Sequence, residues 1–204
     1  MENIKAIIFD FGGVILDLDF KKLNRSFAEL GVTNFEEMYS QKKADPLFER
    51  LEEGKITEAE FYDAFRRTVG INLTDDQIKN GWNTLLVSYR EKALNTLAVL
   101  KNKYRLYMLS NTNSIHLGAF RKIYQDQVGK GSLADHFDKI YYSHEMGYRK
   151  PGKEIYEHVL RENNLSPAET LFIDDTISNI EGAKQAGLQT IHLVPPASVI
   201  DLKL

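Results

Sequence analysis

Four short polar clusters carry groups that could do chemistry. Asp10 sits in Phe9-Asp10-Phe11-Gly12-Gly13, and Ser110-Asn111-Thr112-Asn113 offers a hydroxyl with amides. Arg149-Lys150-Pro151 offers cations, and Asp174-Asp175 is a carboxylate pair. Together they form the set that a phosphate ester and a divalent metal require: oxygen ligands for a hard cation, donors for phosphate oxygens and an ammonium to offset charge. Taken singly, each has an ordinary reading. Asp10 could cap a turn, Lys150 could be a surface lysine ahead of a helix started by Pro151, and Ser110 and Asn113 could be helix caps. The acidic pair resists such a reading, because adjacent carboxylates after a buried strand repel unless a cation or proton intervenes.

What unites the clusters is where they fall. Each comes at or soon after the end of a short apolar run: 5–9, 105–109, 139–142 and 170–173, with a further run at 189–194. Helix-like stretches separate most of these runs. Strands alternating with helices predict a parallel sheet covered on both faces, an α/β fold in three layers. In such sheets ligands bind beyond the carboxyl ends of the strands, where all four clusters would lie.

Residues 20–89 break this rhythm and show no convincing buried strand. Ile56, Phe61, Phe65 and Val69 recur at helical spacing, Thr57 and Glu60 have the form of a capping box, and Gly70 stops the helix. Thr74 to Gln77 signals another helix start ahead of Ile78, Trp82, Leu85 and Leu86. The expectation is a small helical bundle inserted after the first strand, its apolar positions forming core.

Composition narrows the function. Of 204 residues, 26 are Lys or Arg and 29 Asp or Glu, a net charge of -3, which is too balanced to point to nucleic acid or an anionic membrane as the main partner. The absence of cysteine removes disulfides, thiolate metal sites and thiol nucleophiles. No run of about 18 apolar residues predicts a membrane span, and the N-terminal residues lack a signal layout, so a cytoplasmic protein is expected. The five histidines show no ligand spacing, and Gly12-Gly13 lacks the dinucleotide and P-loop patterns. Nothing in the sequence sets an oligomeric state.

The ordered set Ile7 to Val14, Leu109-Ser110-Asn111, Arg149-Lys150-Pro151 and Phe172-Ile173-Asp174-Asp175, with Asn179 and Gly182 beyond, resembles the haloacid dehalogenase (HAD) superfamily. Its members are mostly magnesium-dependent phosphatases with a Rossmann-like core. The resemblance covers nearly the whole chain and implies a catalytic core of 1–18 and 90–204, with 19–89 as a mobile helical cap. Asp10 to Phe20, Glu53-Gly54-Lys55-Ile56, Ser110 to Asn113 and Asn179 to Ala183 look more particularly like the YihX-type sugar phosphatases, which act on glucose 1-phosphate. By this resemblance Asp10 is the nucleophile that forms an aspartyl-phosphate, a small phosphorylated metabolite is the substrate, and Mg²⁺ is the cofactor. Ser110, Asn111, Gly13 and Lys150 would meet phosphate, while Lys150 also holds Asp10 ionised. Asp175, Asp10 and the Gly12 carbonyl would bind the metal, with Asp174 assisting directly or through water.

One position departs from the family. Most of its phosphatases place a second aspartate two residues after the nucleophile, as general acid and base, and here Gly12 occupies that place. Positioned proton transfer contributes about 10²- to 10⁴-fold, roughly 3 to 5 kcal/mol of barrier. Leaving groups that need little acid assistance, such as the anomeric oxygen of a sugar 1-phosphate or an acyl phosphate, would suffer least. Asp17, Asp19 and Glu49 are carboxylates near enough in sequence or able to swing in. Two other functions fit Gly12: a metal-free 2-haloacid dehalogenase, which the acidic pair argues against, and a phosphate-ligand binding or regulatory protein without turnover.

Overall fold

The computed structural model describes residues 3–40 and 43–202. Strand β1 (Ala6–Phe9) and β2 (Leu16–Leu18) lead into helices α1 (Phe20–Glu29) and α2 (Phe35–Met38), then the strand pair β3 (Tyr39–Ser40) and β4 (Lys43–Ala44). Helices α3 (Pro46–Glu52), α4 (Glu58–Val69) and α5 (Asp75–Asn83) and strand β5 (Leu86–Tyr89) follow. The chain then alternates: α6 (Glu91–Leu100), β6 (Arg105–Ser110), α7 (Ser114–Val128), β7 (Lys139–Tyr142), α8 (Ser143–Met146), α9 (Lys153–Glu162), β8 (Thr170–Asp174), α10 (Ile177–Gln185) and β9 (Gln189–His192).

Five strands form a parallel sheet in the order β7-β6-β1-β8-β9, with β1 at its centre. All four β1 residues are buried, because successive side chains go to opposite faces and helices cover both. Ile7, Phe9, Met108 and Ile173 enter one core, and Ala6, Ile8, Leu109 and Phe172 the other. The three-layer α/β architecture predicted from the alternating runs is therefore present.

A third core lies within residues 20–89. Phe27, Phe35, Phe48, Phe65 and Trp82 are buried together, with the Phe27 and Phe35 rings stacked at 4.0 Å. Burying one such ring contributes about 1.5–3 kcal/mol, enough for five short helices to hold one another. Two capping boxes set the starts of α4 and α5, Thr57 with Glu60 and Thr74 with Gln77, as the spacing predicts. Trp82 stacks at 4.9 Å on His116 of α7, tying this bundle to the sheet side. Burial pulls the His116 imidazole down to about 4, so it is neutral at physiological pH.

Four strands, β2 to β5, fall where the sequence shows none. In β5, Leu86 and Tyr89 are buried and Val87 is exposed; four residues are too few for periodicity to register, and the strand exists because it pairs antiparallel with β2. β3 and β4 are two residues each. The β2–β5 ribbon carries the chain from sheet to helices and back. Arg90 fastens it, donating from Nη1 to the Gly13 carbonyl at 2.5 Å and from Nε to Asp17 Oδ1 at 2.6 Å.

Helix α10 packs so closely on the loop before α9 that a Cβ on Gly182 would stand 2.1 Å from the Pro151 carbonyl oxygen. Gly182→Ala should therefore cost about 1–3 kcal/mol in denaturant unfolding, by overpacking against backbone. Gly118→Ala in α7 meets nothing within 4 Å and should stabilise by up to about 1 kcal/mol through helix propensity.

Candidate active site

The carboxyl edge of the sheet collects the four clusters. Strands β1 and β8 are parallel neighbours with Phe9 opposite Ile173, so Asp10 and Asp174 emerge side by side. The Asp10 amide donates to the Ile173 carbonyl at 2.8 Å. Beyond Asp10 the chain turns tightly, and Gly13 adopts φ +77° with a notional Cβ only 2.2 Å from Asp175 Oδ2. Only glycine fits there. Gly13 donates its N–H to the Leu16 carbonyl and accepts Arg90 on its own carbonyl, so both its backbone groups are engaged in the turn, and the expected phosphate contact through Gly13 has no free donor. Gly12 borders the cavity, and a Cβ on it would meet Leu18 Cδ1 at 2.8 Å. The space that a side chain at position 12 would enter is taken by Leu18.

Lys150 lies at the centre of the edge, 1% exposed, its Nζ donating to Asp10 Oδ1 at 2.5 Å and to Asp174 Oδ2 at 2.8 Å. The Asn111 amide holds the Lys150 backbone from both sides: its Oδ1 accepts from Lys150 N and its Nδ2 donates to Lys150 O, both at 2.9 Å. Asp174 also accepts from Thr176 N at 2.8 Å and from Asn179 Nδ2 at 3.0 Å. It is fully buried behind the site, whereas Asp175 borders the cavity.

Carboxylate oxygens of Asp10, Asp174 and Asp175 lie within 4.8 Å of one another. Three carboxylates this close raise the cost of ionising one another. Burial first, then the field of Asp174, pushes Asp10 up to about 8 in spite of Lys150. Burial and Asp174 likewise raise Asp175. Burial alone would lower Lys150, but Asp10 and Asp174 outweigh it and keep the ammonium charged. An all-oxygen cluster of three carboxylates fits a small hard divalent cation such as Mg²⁺.

Above this edge is a cavity of about 370 Å³. Asp10, Gly12, Ser110, Asn111, Lys150 and Asp175 border its sheet side. Leu18, Phe20, Tyr39, Glu49 and Glu52 border its helical side, and Arg149 connects the two. Of the nearby carboxylates singled out in the sequence, Asp17 pairs with Arg90 and Asp19 caps α1, and neither borders the cavity. Glu49 does, held by Arg149 Nη1 at 2.8 Å. Arg149 also bridges to Glu52, at 2.9 Å from Nη2 and 3.1 Å from Nε, a contact that no sequence motif announces. Glu49 and Glu52 are three apart on one helix face, and Arg149 adjoins Lys150, but nothing local in the sequence brings α3 to that lysine.

Residues 4–187 match the haloacid dehalogenase-like hydrolase family. The parallel sheet and the Asp-Lys-Asp centre define a hydrolase of this kind, and the chain belongs to that family. It is 34% identical to a D-ribitol-5-phosphate phosphatase from Bacteroides thetaiotaomicron over 93% of this chain and 91% of the relative. It is 29% identical to the sesquiterpene phosphatase astK of Aspergillus oryzae over 94% of this chain and 90% of that one. A crystal structure of a Bacteroides thetaiotaomicron HAD-family enzyme, an aspartate-to-alanine variant in complex with magnesium and inorganic phosphate, superposes with a TM-score of 0.87 at 36% identity, covering 95% of each chain.

The raised Asp10 has a measurable consequence. Its ordinary value is 3.8 and its folded value about 8, so the folded chain binds more protons than the unfolded chain between these limits. Metal-free protein should therefore lose stability as pH rises from about 4 to about 8. Asp10→Asn should flatten that slope and raise Tm at pH 8. Mg²⁺ should stabilise the wild type more at pH 8 than at pH 5, because it binds the deprotonated cluster. Thermal unfolding at both pH values, with Mg²⁺ and with EDTA, reads all three effects.

Proposed function

We propose that this HAD phosphatase depends on Mg²⁺ and hydrolyses the phosphate ester of a sugar or sugar alcohol, with glucose 1-phosphate among its substrates, through an aspartyl-phosphate on Asp10. The observation that carries the reading is the buried Lys150 bridge between Asp10 and Asp174, set at the floor of a cavity large enough for a small metabolite. Support for a polyol leaving group comes from the ribitol phosphate relative and from the mixed polar and aromatic helical side of the cavity.

In this mechanism the Asp10 carboxylate attacks phosphorus, the bond from phosphorus to the leaving oxygen breaks, and that oxygen takes a proton from water to depart as the alcohol. Water then cleaves the acyl phosphate, releasing inorganic phosphate and restoring Asp10. Dividing one displacement into two makes each barrier lower. Lys150 fixes the direction of the Asp10 carboxylate and places a positive charge beside the phosphoryl oxygens. The Ser110 hydroxyl and the Asn111 backbone donate to those oxygens. Asp10, the Gly12 carbonyl and Asp175 would hold Mg²⁺, while Asp174, engaged by Lys150, Thr176 and Asn179, keeps the ammonium in place. When bound, Mg²⁺ supplies charge neutralisation for the phosphate oxygens. We assign residues 19–89 as the cap over this site and 1–18 with 90–204 as the catalytic core.

Gly12 leaves the departing oxygen without the acid that most relatives provide, and Leu18 fills the space. Substrates with acidic leaving groups should then be turned over faster than esters of ordinary primary alcohols.

Phosphate release from glucose 1-phosphate, ribitol 5-phosphate, glucose 6-phosphate and acetyl phosphate, with Mg²⁺ and with EDTA, tests the reading. Turnover should require Mg²⁺ and fall by at least about 10³-fold in Asp10→Asn, and Gly12→Asp should raise the rate on the primary-alcohol esters by about 10-fold or more once Leu18 moves aside. Identical behaviour of Asp10→Asn, or metal-independent chloride release from 2-chloropropionate, would contradict it.

A further inference from the structure

The helical side of the cavity is charged in a way that the phosphate chemistry does not use. Glu52 is buried, yet it borders the cavity. Its Oε2 accepts from Arg149 Nη2 and Nε, and its Oε1 accepts the Tyr39 hydroxyl at 3.2 Å. A carboxylate has about four acceptor positions, so one remains on Oε1. Burial pushes Glu52 up, and the Arg149 guanidinium acts to keep it ionised. Glu49 gives one oxygen to Arg149 Nη1.

Arg149 is thus occupied by the two carboxylates, and Lys150 by Asp10 and Asp174. Among the described residues bordering the cavity there is no further Lys or Arg. On its described residues the helical side therefore carries two carboxylates and one guanidinium, a net negative charge with unused acceptor positions. Beside it the Phe20 and Tyr39 rings stack at 6.4 Å, offering an apolar face to a carbon chain. Carboxylate acceptors next to aromatic faces suit a chain that bears many hydroxyls. Among the described residues, a second anion there would meet like charge in a partly dry space, the two cations that border it already paired with carboxylates.

We propose that Glu49 and Glu52 are specificity-determining residues that admit phosphate esters of uncharged, hydroxyl-rich leaving groups and reject esters bearing a second anionic group. This inference rests on the phosphatase reading above for the place of the phosphate. It differs from a purely mechanical role, in which the Arg149 bridges only fasten the helices to the sheet: removing one negative charge should change the preference between substrates, not merely lower affinity for all of them.

The test is calorimetric binding of intact esters to Asp10→Asn protein in Mg²⁺, comparing glucose 6-phosphate and ribitol 5-phosphate with 6-phosphogluconate. The neutral esters should bind at least about tenfold more tightly than the carboxylate-bearing one. Glu52→Gln and Glu49→Gln, each in that background, should shrink the ratio severalfold, chiefly by improving 6-phosphogluconate binding. Glu49 is the more exposed of the two, so Glu49→Gln carries the test where Glu52→Gln fails to fold. Equal or tighter binding of 6-phosphogluconate, no binding of the neutral esters, or a ratio unmoved by either substitution overturns the proposal. Release of phosphate from p-nitrophenyl phosphate by the wild type is read alongside: its absence counts against the phosphatase reading, whereas its presence with an unmoved ratio counts against the selectivity alone.

Discussion

The site is organised by one ammonium held between two buried carboxylates. Lys150, Asp10 and Asp174 come from three distant parts of the chain, and their meeting depends on the parallel register that sets the end of β1 beside the end of β8. Removing the ammonium would leave two buried carboxylates without their shared counter-charge, a loss of about 3–5 kcal/mol. Much of the surrounding structure serves that arrangement. Asn111 clamps the lysine backbone, Gly182 lets α10 approach the loop that carries it, and Gly13 makes room for Asp175.

A third carboxylate, Asp175, borders the cavity within 4.8 Å of the other two, so like charges crowd the site. Burial and that crowding push Asp10 toward its protonated form, and a divalent cation at the cluster would favour the ionised one. The same electrostatics extends to the helical side, where Arg149 gives three of its five N–H donors to Glu49 and Glu52. Its bridges join α3 to the loop carrying Lys150, so the groups that shape the cavity also connect the helices to the sheet.

Much of this is legible in the sequence because it is local. The apolar runs end at the polar clusters, the capping boxes at Thr57 and Thr74 announce their helices, and Gly70 takes the left-handed conformation that ends α4. That the clusters share the carboxyl edge follows from the parallel-sheet rule, whereas the adjacency of β1 and β8 does not. What escapes the sequence is pairwise and long-range. Strand β5 forms only because β2 lies beside it, and Leu18 fills the space at Gly12 only because the chain doubles back after the turn. Arg149 meets Glu52 across 97 residues, a separation at which no spacing rule operates. Gly13 illustrates a further limit: its identity marks a tight turn, but whether its N–H faces a ligand or the Leu16 carbonyl depends on how that turn closes.

The most direct test of the central claim is the site of covalent modification during turnover. Wild-type protein mixed with glucose 1-phosphate or ribitol 5-phosphate in Mg²⁺, quenched in acid within a single turnover and digested, should yield a phosphoryl adduct on the peptide containing Asp10. The adduct should be absent in EDTA and in Asp10→Asn. Phosphate release with no adduct on Asp10, or an adduct on another residue, would contradict the account.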